Sequence, residues 1–330
     1  IIDFMERRDF LQLCGGLFMM SQIPLDAKGT DQTRVVPDGL KDVRKITIPV
    51  GASAPFKALH VSDSHLTWTD SRDNERKLAL GQKRLKIFPD AEYYFNESLR
   101  YAGENEMILL HTGDLIDFVS DANLEYVASR LSGAVAVTAA GNHEYSQYVG
   151  EAKEDAAYKA QSYDKVQKAY PNDLTFASYV INGVNFVAVD DVYYNFTDHQ
   201  RQLMKKEVRK GLPIVMMCHV PLYTPDHCAL ILKGNKGKGG YMTGAPLEIT
   251  EKYVDIPGLK PGMEWKNRRI QQRADKPTLR FIEWLKKQPE LKAILCGHTH
   301  GFYQERFSPT AVQYTVGPGY KGSAYEIEFI

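Results

Sequence analysis

The chain has 330 residues, 43% of them hydrophobic and 25% charged, with no net formal charge. This is ordinary globular composition: there is no internal repeat and no low-complexity run, and four cysteines make no disulfide framework. A zero balance argues against wholesale binding of nucleic acid or an acidic membrane surface, and composition leaves the oligomeric state open.

Near its start the chain carries Arg7-Arg8-Asp9-Phe10-Leu11, followed by a short, weakly apolar stretch that ends at Met20. Paired arginines ahead of Phe-Leu and an apolar run resemble a twin-arginine export signal. The run is too short to span a bilayer. Residues 1–30 are therefore expected to be an export leader, which would place the protein in the periplasm or otherwise outside the cytoplasm; an amphipathic N-terminal helix on a cytoplasmic protein is the alternative. Residues 31–330 are expected to form one domain.

Residues 30–43 are polar and read as extended chain. Lys45–Val50 reads as an edge strand whose pairing Pro49 limits. A strand over Phe56–Val61 leads into Asp63-Ser64-His65. Residues 69–89 read as a charged insert, followed by a helix from Asp90 to Tyr101 with Tyr94, Phe95, Leu99 and Ala102 at helical spacing. Met107–His111 is the next strand and leads into Gly113-Asp114-Leu115-Ile116-Asp117. Asp121 can cap a helix whose apolar face is Leu124, Val127, Ala128 and Leu131. Ala134–Ala139 leads into Gly141-Asn142-His143-Glu144, and 151–169 reads as a polar helix. Asn182-Gly183 between Tyr179–Ile181 and Val184–Val189 signals a hairpin. Asp190 and Asp191 after it read as loop acids. Thr197 and Gln200 form a capping box that opens a helix through Val208. Ile214–Cys218 leads to His219, and Leu291–Cys296 to Gly297-His298-Thr299-His300. Between them a helix spans Pro277–Lys287. Strands over Val312–Val316 and Ala324–Phe329 close the chain.

Five motif blocks thus follow five apolar, strand-like runs, which is where α/β folds place their chemistry. Asp, His and Asn bind neighbouring hard or borderline metal ions through oxygen and imidazole. His65, His143, His219, His298 and His300 fall within these blocks. His60 and His111 lie inside strands and read as core residues, while His199 and His227 carry no motif. Cys218 and Cys296 end buried strands and read as small apolar residues; Cys228 reads as a loop residue and Cys14 lies in the leader. Asp63 to His300 spans 238 residues, so the core must be one unit.

The series D-x-H, G-D-x-x-D, G-N-H-E, a lone His and G-H-x-H resembles the calcineurin-like metallophosphoesterase superfamily, over roughly residues 56–303. The resemblance implies an α/β fold, a four-layer αββα sandwich of two mixed β-sheets flanked by helices, with metals at one sheet edge. It implies that Asp63, His65 and His300 hold one metal, that Asn142, His219 and His298 hold the other, and that Asp114 bridges them. Mixed oxygen and nitrogen ligands suit two divalent or trivalent ions, Mn, Fe, Zn or Co. His65 separates the chain from the purple acid branch. A hydroxide held between two ions about 3.5–4 Å apart would attack phosphorus in line. His143 would be the general acid, with Asp117 as the partner that fixes its tautomer; the alternative for Asp117 is a helix cap. Glu144 reads as a loop carboxylate without a catalytic role.

The expected partner is a small anionic phosphoester, a phosphodiester or nucleotide rather than a phosphoprotein. The protein-phosphatase branch continues its second block with Arg-Gly, whereas Phe118-Val119 follow here, and His219-Val220-Pro221 resembles the phosphodiesterase branch. A phosphomonoesterase is the alternative within enzymes. A non-catalytic interaction module on the same fold is the alternative of another class, but such modules usually lose ligands or the acid histidine. A nuclease is disfavoured by the zero net charge. Residues 227–276 form a basic insert with ten Lys/Arg against five Asp/Glu. Its run Lys233–Gly240 reads either as a lid that attracts an anionic substrate or as a solvated loop; it lacks P-loop spacing.

Overall fold

Alternation along the strands sorts the apolar side chains into three layers. This is seen in a computed structural model, which describes residues 39–150, 155–259 and 266–330. The expected leader, and the polar stretch up to residue 38, lie outside the described residues. On β3 (Ile108–His111), Ile108 and Leu110 face a core between two sheets while Leu109 faces the other way. On β7 (Ile214–Met217), Val215 and Met217 enter the same middle core, and Ile214 and Met216 enter a third. A period of two with both faces apolar is what a strand covered on both sides requires.

One sheet contains β1 (Asp42–Ile48), β2 (Phe56–Val61), β3, β4 (Ala136–Thr138) and β11 (Ser323–Phe329), in the order β1-β11-β2-β3-β4. The other contains β5 (Phe176–Ile181), β6 (Val184–Val189), β7, β8 (Leu291–Cys296), β9 (Tyr303–Arg306) and β10 (Val312–Thr315), in the order β5-β6-β7-β8-β10-β9. Both are mixed: β11 runs antiparallel to β2 in the first sheet, and β5–β6 and β10–β9 are antiparallel pairs in the second, the other neighbours being parallel. Phe56 and Phe329 from the first sheet meet Phe186 from the second, at centroid distances of 5.9 Å and 5.2 Å.

Helices cover both outer faces. On the first sheet, α2 (Ala91–Glu104) and α3 (Asp121–Leu131) bury Phe95, Ala102, Leu124, Val127 and Leu131 against Leu59, Val61 and Leu109. On the second, α6 (Asp198–Val208) and α8 (Lys276–Leu285) bury Met204, Phe281, Ile282 and Leu285. The result is the four-layer αββα sandwich. The capping box of α6 is present, with the Thr197 and Gln200 side chains each bonding the other's backbone N–H. Asn182 and Gly183 take φ values of 47° and 77°, as a tight hairpin turn requires.

Several elements differ from the sequence reading. The cap of α3 is Ser120, whose Oγ accepts from Asn123 N; Asp121 takes the first helical position. The charged stretch 69–89 contains α1 (Glu75–Leu85), capped by Asn74. Among the described residues of 151–169 there are two short helices, α4 (Ala156–Ala160) and α5 (Tyr163–Gln167), which bury Tyr158 and Val166. Cys228 is buried within α7 (Pro225–Gly234), not in a loop, and Lys233 stands in the last turn of that helix. The strand β9 has no counterpart in the sequence reading. No helix among the described residues is long and apolar enough to cross a membrane.

Phe186 is fully buried where the sheets meet. Phe186→Ala should lower unfolding stability by about 3–5 kcal/mol, read from urea denaturation at constant m-value. A loss below about 1 kcal/mol would show that the two inner faces are not tightly interdigitated.

Candidate metal centre

The motif blocks lie beyond the C-terminal ends of β2, β3 and β4 in one sheet and of β7 and β8 in the other. Hydrogen bonds join them across the sandwich. His298 N donates to Asp63 Oδ2 at 2.9 Å, and His219 Nδ1 donates to Thr112 O at 2.7 Å. The turns are unusually tight. Asp63, His65, Asp114, His298 and His300 all have φ between 51° and 68°, a left-handed region that costs non-glycine residues about 1–3 kcal/mol each. Two motif glycines are fixed by close approach. A Cβ on Gly141 would lie 2.2 Å from Asp114 Oδ1, and one on Gly297 would lie 1.8 Å from Ser62 Oγ.

Glu144 is more than a loop carboxylate. It is fully buried and accepts from the backbone N–H of Asp114, Leu115, Ile116 and Gly141, and from the Tyr170 hydroxyl. Burial and the nearby Asp114 push its carboxyl pKa up. It ties the second motif block to the third. Asp191 is also more than a loop acid. It accepts from His219 N and Val220 N at 3.2 Å and from Thr243 Oγ1 at 3.0 Å, so it seats the loop that carries His219. Burial raises its pKa to about 7. His60 and His111 sit in the core, bonded to Thr112 Oγ1 and Ser64 Oγ, and burial lowers both to about 3.

Donor atoms converge in three overlapping groups: Asp63 with His65 and His300, His65 with Asp114 and His143, and Asp114 with His219 and His298. Asp114 belongs to two of them. Its Oδ2 lies 3.2 Å from His219 Nε2 and 3.9 Å from His65 Nε2. His65 Nε2 and His300 Nε2 are 3.3 Å apart, and His298 Nδ1 and His219 Nε2 are 3.1 Å apart. Ligand nitrogens about 2.0–2.1 Å from a tetrahedral ion are separated by about 3.3 Å, so these pairs have the spacing of coordination edges. His300 Nε2 lies 3.2 Å from Asp63 Oδ1 yet leaves that oxygen without a hydrogen bond. Asn142 Oδ1 is likewise buried without a partner among the described residues. Orphaned buried acceptors are costly, and a cation would satisfy both. The donor set fits two ions. Asp63, His65 and His300 could hold one and Asn142, His219 and His298 the other, with Asp114 shared.

Three of the ligand imidazoles, those of His65, His219 and His298, are oriented by a contact on the far side. Asp117 Oδ1 lies 3.0 Å from His65 Nδ1, Thr112 O accepts from His219 Nδ1, and the Tyr194 hydroxyl lies 3.2 Å from His298 Nε2. Such contacts fix the tautomer that leaves the other nitrogen facing the centre. His143 Nδ1 lies 2.7 Å from Asp117 O and 3.2 Å from Asp117 Oδ1, with its Nε2 4.0 Å from Asp114 Oδ2. Asp117 is no helix cap, since Ser120 has that role. It also accepts from Arg84 Nε at 2.6 Å and Arg84 Nη2 at 2.7 Å.

The charges follow from these contacts. Burial alone would raise Asp117, but bonds from His143, His65 and Arg84 hold it well below the usual carboxylate range. Burial works against a charged His143, yet Asp114 and Asp117 raise its pKa to about 10. Burial likewise opposes charge on His219, but Asp114 and Asp63 raise it to about 10. Burial and the neighbouring His219 lower His298 to about 3. The buried carboxylates require positive charge, whether it comes as a proton or as a metal ion.

A pocket of about 470 Å³ opens over this centre. Its wall includes Arg84, Phe88, Ile231, Asn235 and Tyr241, whereas Lys233, Lys236 and Lys238 do not line it. Sequence reading missed Arg84, Tyr194 and Asp191. For Arg84, the Asn74 cap was a local signal of the helix. For Tyr194 and Asp191, only the strand β6 leading towards the site was available.

The family Calcineurin-like phosphoesterase matches residues 56–302. The chain belongs to that family, a class of metal-dependent phosphoric ester hydrolases. A comparison with curated proteins finds no match. Among solved structures, a dimetal phosphatase from Danio rerio is similar at 13% identity and a TM-score of 0.43, over 83% of this chain and 89% of that one. A 5'-nucleotidase from Candida albicans is similar at 11% identity and a TM-score of 0.38, over 86% of this chain and 46% of that one. The phosphopantetheinyl hydrolase of Mycobacterium tuberculosis is similar at 12% identity and a TM-score of 0.35, over 80% and 90%.

Tyr194→Phe removes the hydroxyl beside His298 Nε2 and should weaken one of two Mn²⁺ binding steps by about 10–100-fold, read by calorimetric titration of metal-stripped protein. Two unchanged binding steps would show that Tyr194 does not orient His298.

Proposed function

We propose that the protein hydrolyses a small phosphodiester or nucleotide at the centre formed by Asp63, His65, Asp114, Asn142, His219, His298 and His300, with His143 as general acid. The observation that carries the acid role is His143 itself. It is held by Asp117 through Nδ1, and both neighbouring carboxylates favour its charged form. Two bound ions would supply a nucleophile at neutral pH by lowering the pKa of water, and would neutralise phosphoryl oxygens. His143 Nε2–H, on the pocket side, gives its proton to the departing ester oxygen. Asp117 keeps the proton on Nδ1 and so sets which nitrogen donates. General acid catalysis of this kind is typically worth about 10²–10⁴ in rate.

The wall of the pocket favours a diester over a monoester. A diester carries one negative charge and two organic substituents. Phe88, Ile231, Asn235 and Tyr241 offer apolar and amide surface for a second substituent. Export through the twin-arginine route remains the proposal for residues 1–30. It is tested by sequencing the mature N-terminus from cells, where an intact leader in the soluble cytoplasm would rule it out.

The Mn²⁺-loaded protein should cleave bis-p-nitrophenyl phosphate faster than p-nitrophenyl phosphate; the reverse order would move the reading to a phosphomonoesterase. His143→Ala should keep its metals and lose about 10²–10⁴ in turnover on esters with poor leaving groups, and much less on the nitrophenyl esters. Equal losses on both would remove His143 from the acid role.

A further inference from the structure

Arg84 reaches the centre from α1, in a stretch of chain that contributes no strand to either sheet. Two of its three guanidinium nitrogens are fixed on Asp117. Its guanidinium carbon lies 4.9 Å from the centroid of the Phe88 ring. That ring in turn stacks on His65 at 4.5 Å with an interplanar angle of 5°. The third nitrogen, Nη1, has no acceptor among the described residues. The side chain is 16% exposed, and it lines the same pocket as Asp114, Asn142 and His143.

We propose that Arg84 is a substrate-binding residue whose Nη1 grips a non-bridging oxygen of the phosphoryl group. The inference rests on the reading of this site as a phosphoester centre. A guanidinium has five N–H donors in one plane, and the two bonds to Asp117 leave the outer edge of the fork for a second anion. Planar forks of this kind match phosphate oxygens, which a lysine ammonium meets only as a point charge. Orientation is already set by Asp117 and Phe88, so little side-chain entropy remains to be lost on binding. Asp117 also receives the ring nitrogens of His65 and His143. The group that seats the acid would thus seat the phosphoryl clamp as well, and hold the two at a fixed separation.

The test compares Mn²⁺-loaded wild-type protein with Arg84→Gln and Arg84→Lys. Four quantities are read: metal content, melting temperature, the Kd of inorganic phosphate by calorimetry, and KM and kcat on bis-p-nitrophenyl phosphate. The expected result is unchanged metal content with phosphate Kd and KM raised about 10–100-fold in Arg84→Gln, and a smaller rise in Arg84→Lys. If kcat falls and the pH profile shifts while phosphate Kd and KM stay as in the wild type, Arg84 only positions Asp117 and the proposal is overturned. Loss of metal and of melting temperature in both variants also overturns it, by making the residue structural. Wild-type protein that binds phosphate but cleaves neither nitrophenyl ester would defeat the hydrolase reading alone, and the phosphate Kd series would still decide the role of Arg84.

Discussion

Asp63, Asp114 and Asp117 are buried within a few ångströms of one set of imidazoles. Buried charges cost several kcal/mol apiece unless paired, so the surrounding chain is arranged to pair them. Asp117 takes Arg84 and two ring nitrogens. Asp63 Oδ2 takes the amide of His298 from the other sheet. Asp114 Oδ1 accepts from His143 N, while its Oδ2 faces His219. What these bonds leave over, Asp63 Oδ1 and Asn142 Oδ1, is where cations fit. Glu144 is another buried carboxylate, and it solves the same problem with four backbone amides and the Tyr170 hydroxyl.

The sandwich serves this arrangement with three cores built largely from apolar side chains. Side chains of β3 and β7 alternate between the middle core and the outer cores, so the strands have no polar face to spare. The polar residues are displaced to the strand ends, where five of them adopt left-handed backbone. The strain is tolerated because the bonds around it are many and nearly all buried. Glycine at positions 141 and 297 lets two turns approach within contact of the carboxylates.

The bounds of β2 and β8 coincide with the sequence reading because Phe56–Val61 and Leu291–Cys296 are apolar runs ended by a turn. The capping box of α6 and the hairpin at Asn182-Gly183 were legible for the same reason, since their signals lie within a few residues. β9 was not: Gln304, Glu305 and Arg306 make a half-exposed edge strand held by its partner β10. The roles of Arg84 and Glu144 were hidden differently. Arg84 meets Asp117 across 33 residues of sequence, and Glu144 meets amides up to 30 residues away. No periodicity records such pairings. The motif residues could be gathered from a family resemblance, but the side chains that orient them had to be seen in space.

The centre draws its donors from both sheets, which otherwise meet through apolar side chains such as Phe56 and Phe186. An ion shared by Asp63 and His300 would close a loop of 238 residues, and loops of that length lose about 5 kcal/mol of chain entropy when cross-linked. Metal occupancy and the seating of one sheet on the other then become a single linked equilibrium. Stripping the ions would loosen the sandwich at the site end first, and mutations deep in the middle core would be felt as weakened metal affinity.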